Sequence, residues 1–222
     1  MRHFWLGILV GTMMLAACGG NDSDFASRPD GKESSSGISP KSSDSETSVF
    51  AGTMTDPRDG QTYRTVKIGN QVWMAENLNY ETANSYCYKD SASNCTKYGR
   101  LYTWAAAKAA CPSGWHLPTE VEFKELVATV GGSSTAGKML KSTSGWYSSG
   151  NGTDAYSFSA LPAGYGSDYG YYGNEGDNAH FWSSTENGSY SAYGMYLDYY
   201  DDNAYLDNSV KDYGFSVRCV KD

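Results

Sequence analysis

Two histidines lie in the body of the chain, His116 in WHLPTE and His180 in AHFW. A Ser or Cys nucleophile needs such a base beside it, but neither histidine sits in a nucleophile motif. HLPTE is not HExxH, so the zinc-protease pattern is absent. No glycine-rich segment is followed by Lys-Ser/Thr, so no phosphate cradle is present. His116 is expected to pack between Trp115 and a following helix, and His180 to sit at a strand edge. A carboxylate pair for glycoside cleavage can be drawn from Glu175, Asp177 and Glu186, but acidic residues are plentiful here and such a pair is easily found.

Binding chemistry is better represented. Sugar recognition combines ring faces for apolar C–H patches with Asn and Asp for hydroxyls. Trp146, Tyr147, Tyr169, Tyr171, Tyr172 and Trp182 supply rings, and Asp198, Asp201, Asp202, Asn203 and Asp207 supply acceptors. Calcium takes six to eight oxygens, and Asp201-Asp202-Asn203 with Asp207 can offer some. Trp146 and Trp182 have a competing use as core anchors, with the Tyr and Asp residues making a soluble loop surface.

These residues sit in an acidic chain of 222 residues with a formal net charge of -8. That balance argues against a nucleic-acid partner, which requires clustered Lys and Arg. It equally argues against adhesion to anionic lipid through a basic patch. Residues 145–215 hold 13 Tyr and a single basic residue, Lys211.

The N-terminus reads as an address. A basic start, Met1-Arg2-His3, precedes the apolar run Phe4–Leu15, which is too short to span a bilayer. Leu15-Ala16-Ala17-Cys18 resembles a bacterial lipobox. The resemblance implies cleavage before Cys18, acylation of its thiol and amine, and a stable membrane anchor, since two or more acyl chains hold firmly. Gly19 after the cysteine favours the outer membrane, with display at the cell surface in view. Residues 18–52 are rich in Ser, Gly and acidic side chains and read as a flexible tether. The expected organisation is therefore a leader over 1–17, a tether over 18–52 and a folded domain over 53–222.

Four cysteines remain: Cys87, Cys95, Cys111 and Cys219. An even number in an exported chain suggests two disulfides. Of three possible pairings, Cys87–Cys95 as a local clip with Cys111–Cys219 as a long staple is preferred. The absence of CxxC spacing and the scarcity of His argue against zinc.

Alternating YRTVKI (63–68) and QVWM (71–74) predict a hairpin across Gly69-Asn70. LYTWAAAKAA (101–110) predicts a helix stopped by Pro112. Trp115–Leu117 is expected to be extended. Thr119 with Glu122 predicts a capping box, and Phe123, Leu126, Val127 and Val130 give one buried helical face. Residues 136–141 suggest another helical turn. Residues 182–184, 195–199 and 215–220 predict strands between long loops, and 165–172 an exposed loop of low complexity.

The segments DPRDGQTYRTVKIGNQVWMAENLNY (56–80), YGRLYTWAAA (98–107), CPSGWHLPTEVEFKEL (111–126), FWSST (181–185) and GFSVRCVKD (214–222) resemble the Fibrobacter succinogenes major paralogous domain. That resemblance implies an α+β, C-type lectin-like fold. Two helices would pack on small antiparallel sheets with long irregular loops, stapled by disulfides. It also places Cys111 and Cys219 where a cysteine ending the first helix bonds one in the last strand. The helix–Cys–GWHLPT–Glu–helix run is similar to formylglycine-generating domains of the same fold. Those use a redox cysteine pair near the C-terminal end, where this chain has Cys219 alone. No Glu-Pro-Asn, Gln-Pro-Asp or Trp-Asn-Asp triplet is present, so sugar-binding calcium geometry does not carry over. The resulting expectation is a non-catalytic envelope lipoprotein that binds glycan. A scaffold holding another envelope protein through its Tyr-rich loops is the alternative. An enzyme on the formylglycine-generating fold is the third reading, which His116 in an open pocket beside a carboxylate would reveal.

Overall fold

The computed structural model describes residues 51–167 and 170–222. Cys18, the leader and nearly all of the tether lie outside the described residues, as does Tyr169. The first strand begins at Ala51, two residues before the expected domain start.

In chain order the elements are β1 (Ala51–Thr55), β2 (Thr62–Ile68), β3 (Gln71–Met74), β4 (Ser85–Tyr86), α1 (Ala92–Tyr98), β5 (Leu101–Tyr102), α2 (Trp104–Ala107) and β6 (Trp115–His116). There follow α3 (Glu120–Thr129), α4 (Ser133–Leu140), β7 (Tyr165–Ser167), β8 (Tyr172–Gly173), β9 (Asn178–Asn187), β10 (Ser191–Asp198), β11 (Ala204–Val210), β12 (Tyr213–Gly214) and β13 (Val220–Lys221). Four small antiparallel sheets result, in the orders β1-β2-β3-β13-β6, β11-β10-β9, β12-β7-β8 and β4-β5. The domain is thus α+β, with four short α-helices among the described residues rather than the two expected.

Local chemistry explains most boundaries. In β2, Tyr63, Thr65, Val66 and Ile68 are buried while Arg64 and Lys67 face out. β3 returns antiparallel with Val66 opposite Trp73. The Thr119 side chain accepts from Glu122 N, and the Glu122 carboxylate accepts from Thr119 N, closing the capping box. Phe123, Leu126, Val127 and Val130 are all buried, in one cluster with the inner face of the β9–β11 sheet.

Two sequence expectations give way to tertiary pairing. The helix expected over 101–110 starts only at Trp104. Tyr102 exchanges two backbone hydrogen bonds with Phe215, at 2.8 and 3.0 Å, which holds Leu101–Tyr102 extended despite the alanines that follow. The stretch 165–172 is not a plain loop, because β7 pairs with both β8 and β12. The expected final strand over 215–220 reduces to isolated bridges at Phe215 and Ser216 and the first residue of β13.

Both disulfides form as preferred: Cys87–Cys95 and Cys111–Cys219. The first clips α1 to the segment before it. The second spans 108 residues and joins the turn after α2 to β13's approach. A loop of that length restricts the unfolded chain by ~4–5 kcal/mol in the chain-entropy account.

Arg218 is fully buried between the main clusters. Its guanidinium donates to Asn77 Oδ1 at 2.6 Å, Met74 O at 3.2 Å, Ser159 O at 2.8 Å and Phe158 O. It also lies over Phe158, 4.6 Å from the ring centroid. Among the described residues no carboxylate bonds it, and burial lowers its pKa to about 9. Asn77, in turn, donates to Tyr98 O and Ser216 Oγ. Arg218→Ala leaves these buried acceptors bare and is expected to cost ~3–5 kcal/mol. Arg218→Lys should recover little, because one ammonium lacks the planar fork. Urea unfolding of both variants checks this, and a near-wild-type midpoint for the alanine variant would contradict it.

Candidate functional site

The β9–β11 sheet separates two environments. Alternation sends Ala179, Phe181, Met195, Leu197 and Ala204 into the core. The opposite face carries His180, Tyr196 and Tyr205 in one cross-strand row, and Trp182, Gly194 and Asp207 in the next. A register shift between Ala192 and Gly194 marks a bulge. A Cβ at Gly194 would lie 2.5 Å from Phe181 O, so only glycine permits this approach.

The first row continues beyond its own sheet. Tyr205 stacks on Tyr196 at 4.6 Å and 11°. Tyr196 stacks on His180 at 5.7 Å, and His180 meets the edge of Tyr165 at 5.8 Å. Tyr165 packs against Tyr171 at 5.9 Å and Tyr213 at 5.5 Å. Phe215 lies beneath, stacked on both His180 and Trp182. Tyr171 is 60% exposed and Tyr213 38%, so the row opens toward the β7–β8 turn. At the other end, the Tyr205 hydroxyl donates to Asp201 and accepts from Asn203 Nδ2.

His180 is the row's least satisfied member. Its Nε2 is buried and has no hydrogen-bond partner among the described residues. A bare buried polar atom costs ~1–3 kcal/mol. Burial lowers its pKa to about 4, so the imidazole is neutral near pH 7. The strand-edge placement expected for it is corrected here: His180 lies within β9, opposite Tyr196.

The expected ligand residues divide. Tyr171 joins the row. Tyr172 points to the other side of its hairpin, donating to Asp90 Oδ1 at 2.6 Å and packing on Tyr88. Trp182 and Trp146 are corrected to core residues, 0% and 6% exposed. Trp182 Nε1 donates to Tyr102 O, and Trp146 Nε1 to Ser142 Oγ and Ala160 O. Asp198 is also buried, accepting from Asn178 Nδ2, and burial raises its pKa. Its backbone oxygen and that of Asp201 hold the buried Lys141 Nζ at 2.8 and 2.7 Å.

The acceptors named for calcium are engaged one by one. The Asp201 carboxylate is taken up by Asn203 and Tyr205, Asp202 pairs with Lys138, and Asp207 accepts from Asn208. Among the described residues, no group of three or more His, Cys, Asp or Glu is placed to hold a metal. The candidate glycosidase acids are engaged separately. Glu175 accepts from the Tyr98 hydroxyl and pairs with Lys89 and Lys97, while Glu186 pairs with Lys211.

His116 has carboxylates in reach but serves as a brace. Its Nε2 meets Glu122 Oε1 at 2.8 Å and its Nδ1 meets Asp222 Oδ1 at 2.7 Å. This links β6, the start of α3 and the chain end after β13.

Tyr165, Tyr196, Tyr205 and Tyr213 were not legible as site residues. For Tyr196 and Tyr205 the signal is alternation in β10 and β11, which becomes a surface only once the cross-strand register is known; Tyr165 and Tyr213 join it through the pairing of β7 with β12.

Residues 66–221 match the Fibrobacter succinogenes major domain. The chain belongs to that family. No curated protein and no solved structure matches it. The matched span of the Fibrobacter succinogenes major domain contains both disulfides, Arg218 and every residue of the ring row.

Two outcomes follow. Trp182→Ala should cost ~3–5 kcal/mol as a core truncation, whereas Tyr171→Ala should stay within ~0.5 kcal/mol; thermal unfolding separates them. The His116 brace should depend on pH. Burial lowers its pKa, but hydrogen bonds to Asp222 and Glu122 outweigh this and raise it above the ordinary 6.5. Burial raises that of Glu122, but bonds from Thr119 and His116 outweigh this and lower it below 4.5. The His contribution is thus full below pH 6.5 and fades as pH rises through the raised value. The Glu contribution is full above 4.5 and fades as pH falls through the lowered value. The stability gap between wild type and His116→Gln should be widest near pH 5–6, at up to ~1 kcal/mol for so exposed a pair. A gap that widens toward pH 9 would contradict the brace.

Proposed function

We propose that the domain is a non-catalytic binding module of the bacterial cell envelope, C-type lectin-like in fold. In this reading it holds a neutral glycan along the row Tyr205–Tyr196–His180–Tyr165–Tyr171. The row itself is the observation that carries the reading. The rings are partly exposed and stacked or packed on one another at 4.6–5.9 Å, so the row presents a run of ring edges and Tyr hydroxyls to a ligand that is both apolar and hydroxylated. The exposed Asp207 and Asn208 at its margin offer hydroxyl partners. The acidic surface disfavours polyanionic glycans. The lectin-like reading is supported by the long staple, the capped α3 beside it, and the loop-rich half that carries the row. A binding role is favoured over catalysis because His116 is braced by two carboxylates and His180 is stacked among rings. The lipobox-like Leu15-Ala16-Ala17-Cys18 supports an outer-membrane anchor reached through the tether.

A second reading, capture of an envelope protein, draws on a separate tyrosine cluster. Tyr147 packs edge-on against Tyr199, which meets Tyr200, and Tyr147 and Tyr200 are 64% and 68% exposed. Exposed tyrosines suit adaptable protein contacts.

The glycan reading is tested by titrating the purified chain with neutral and acidic polysaccharides. Tyr196→Ala and Tyr205→Ala should each weaken neutral-glycan binding by about tenfold. Tyr200→Ala should leave it unchanged. Glycan binding lost through Tyr200 and kept in the row variants would move the site to the second cluster.

A further inference from the structure

An Asn-Gly pair can react with itself. The glycine nitrogen lies within reach of the asparagine carboxamide, and no Cβ blocks the approach. Two such pairs occur in the chain, Asn151-Gly152 and Asn187-Gly188. The fold treats them differently. Asn151 is the more exposed asparagine, yet its Oδ1 accepts from Trp146 N at 3.1 Å. Gly152 N donates to Ser142 O at 3.0 Å. A Cβ at Gly152 would lie 2.3 Å from Lys141 O, so this segment is closely packed where α4 ends. Both reacting groups are thus engaged. Asn187 is the last residue of β9, and the turn 188–190 after it is exposed. Among the described residues no hydrogen bond holds the Asn187 carboxamide or the Gly188 N–H. Gly188 sits at φ 73°, and a Cβ there would meet nothing within 4 Å. The turn is anchored at its carbonyls instead, where Lys211 Nζ bonds Gly188 O at 3.0 Å and Ser189 O at 3.1 Å. Those bonds leave the Gly188 nitrogen untouched.

We propose that Asn187 is a site of spontaneous covalent modification, deamidating through a cyclic imide with Gly188, while Asn151 is protected by the fold. The Gly188 nitrogen bonds the Asn187 carboxamide carbon. The bond from that carbon to Nδ2 breaks, and the proton lost by Gly188 leaves with Nδ2 as ammonia. Water then opens the imide. Attack at the side-chain carbonyl restores the ordinary peptide bond and leaves aspartate. Attack at the backbone carbonyl leaves isoaspartate, with the chain running through the former side chain. No oxidant or enzyme is needed. Each event adds a negative charge to a region, 145–215, whose single basic residue is Lys211. Isoaspartate also lengthens the backbone at the β9–β10 turn, and those two strands carry His180 and Tyr196. The hairpin thereby records the age of the protein.

The test incubates the purified chain in warm, mildly alkaline buffer, folded and in parallel unfolded by urea with its disulfides reduced. Peptide mass mapping then follows amide-to-acid conversion at both asparagines. In the folded chain Asn187 should convert at least about tenfold faster than Asn151, because two hydrogen bonds must break before Asn151-Gly152 can react. Isoaspartate should appear beside aspartate at position 187, read out as methyl transfer by an isoaspartyl methyltransferase. In urea the two sites should convert at matching rates, since only the fold distinguishes them. Asn187→Gln should abolish the methyl-transfer signal of the folded protein. Equal rates in the folded chain, or a faster Asn151, overturn the proposal. So does an Asn187 that stays an amide in the folded chain, whatever happens in urea, and so does a methyl-transfer signal that survives in Asn187→Gln.

Discussion

The Arg218 guanidinium is the point on which the remaining structure depends. Its four acceptors come from the end of β3, from Asn77 just beyond it, and from the Phe158–Ser159 segment. A charge so enclosed is tolerated because acceptors surround it. Carbonyl dipoles do here what a carboxylate does in an ion pair, but from several directions at once. That geometry fixes segments that have little regular structure of their own. Asn77 extends the network to Tyr98 O at the end of α1 and to Ser216 beside β9. The loop-rich half and the five-stranded sheet are thereby held in one arrangement, with Cys219 locking the next residue.

Local patterns in the sequence were legible because local chemistry produces them. The β2–β3 hairpin follows from alternation around Gly69-Asn70, and α3 from its capping box and apolar stripe. The disulfides follow from cysteine parity and from order along the chain. What was not legible required partners distant in sequence. Leu101–Tyr102 reads as helix until Phe215 claims its backbone. Tyr165–Tyr172 reads as loop until Tyr213 and Gly214 pair with it. The tryptophans misled because a large ring suits a core as well as a sugar. Here Trp182 and Trp146 find both burial and acceptors for their indole N–H groups. The exposed rings are tyrosines whose alignment arises from register alone.

The β9–β11 sheet thus has two faces with different demands. One is aliphatic and aromatic core, sealed by α3 and α4. The other keeps rings in line yet leaves them partly uncovered, with His180 sandwiched among them. Buried carboxylates and the Lys141 ammonium are consumed in holding the β10–β11 connection, where Lys141 Nζ gathers the backbone oxygens of Asp198 and Asp201. The acidic residues that sequence alone marks as ligands are therefore mostly structural. The polar groups left free lie at the margin of the rings.

The position of β13 sets the order in which the chain can become complete. Val220 bonds β6 on one side and pairs with Trp73 of β3 on the other. A polypeptide emerging from a ribosome or a translocation channel delivers β3 and β6 long before the strand that joins them. Until residues 218–221 arrive, the sheet has a gap, the guanidinium site is vacant and Cys111 has no native partner. Mispairing of Cys111 with Cys87 or Cys95 is open only until those two cysteines pair with each other. The early clip Cys87–Cys95, only eight residues apart, removes those two thiols from competition and leaves Cys111 waiting for Cys219 alone.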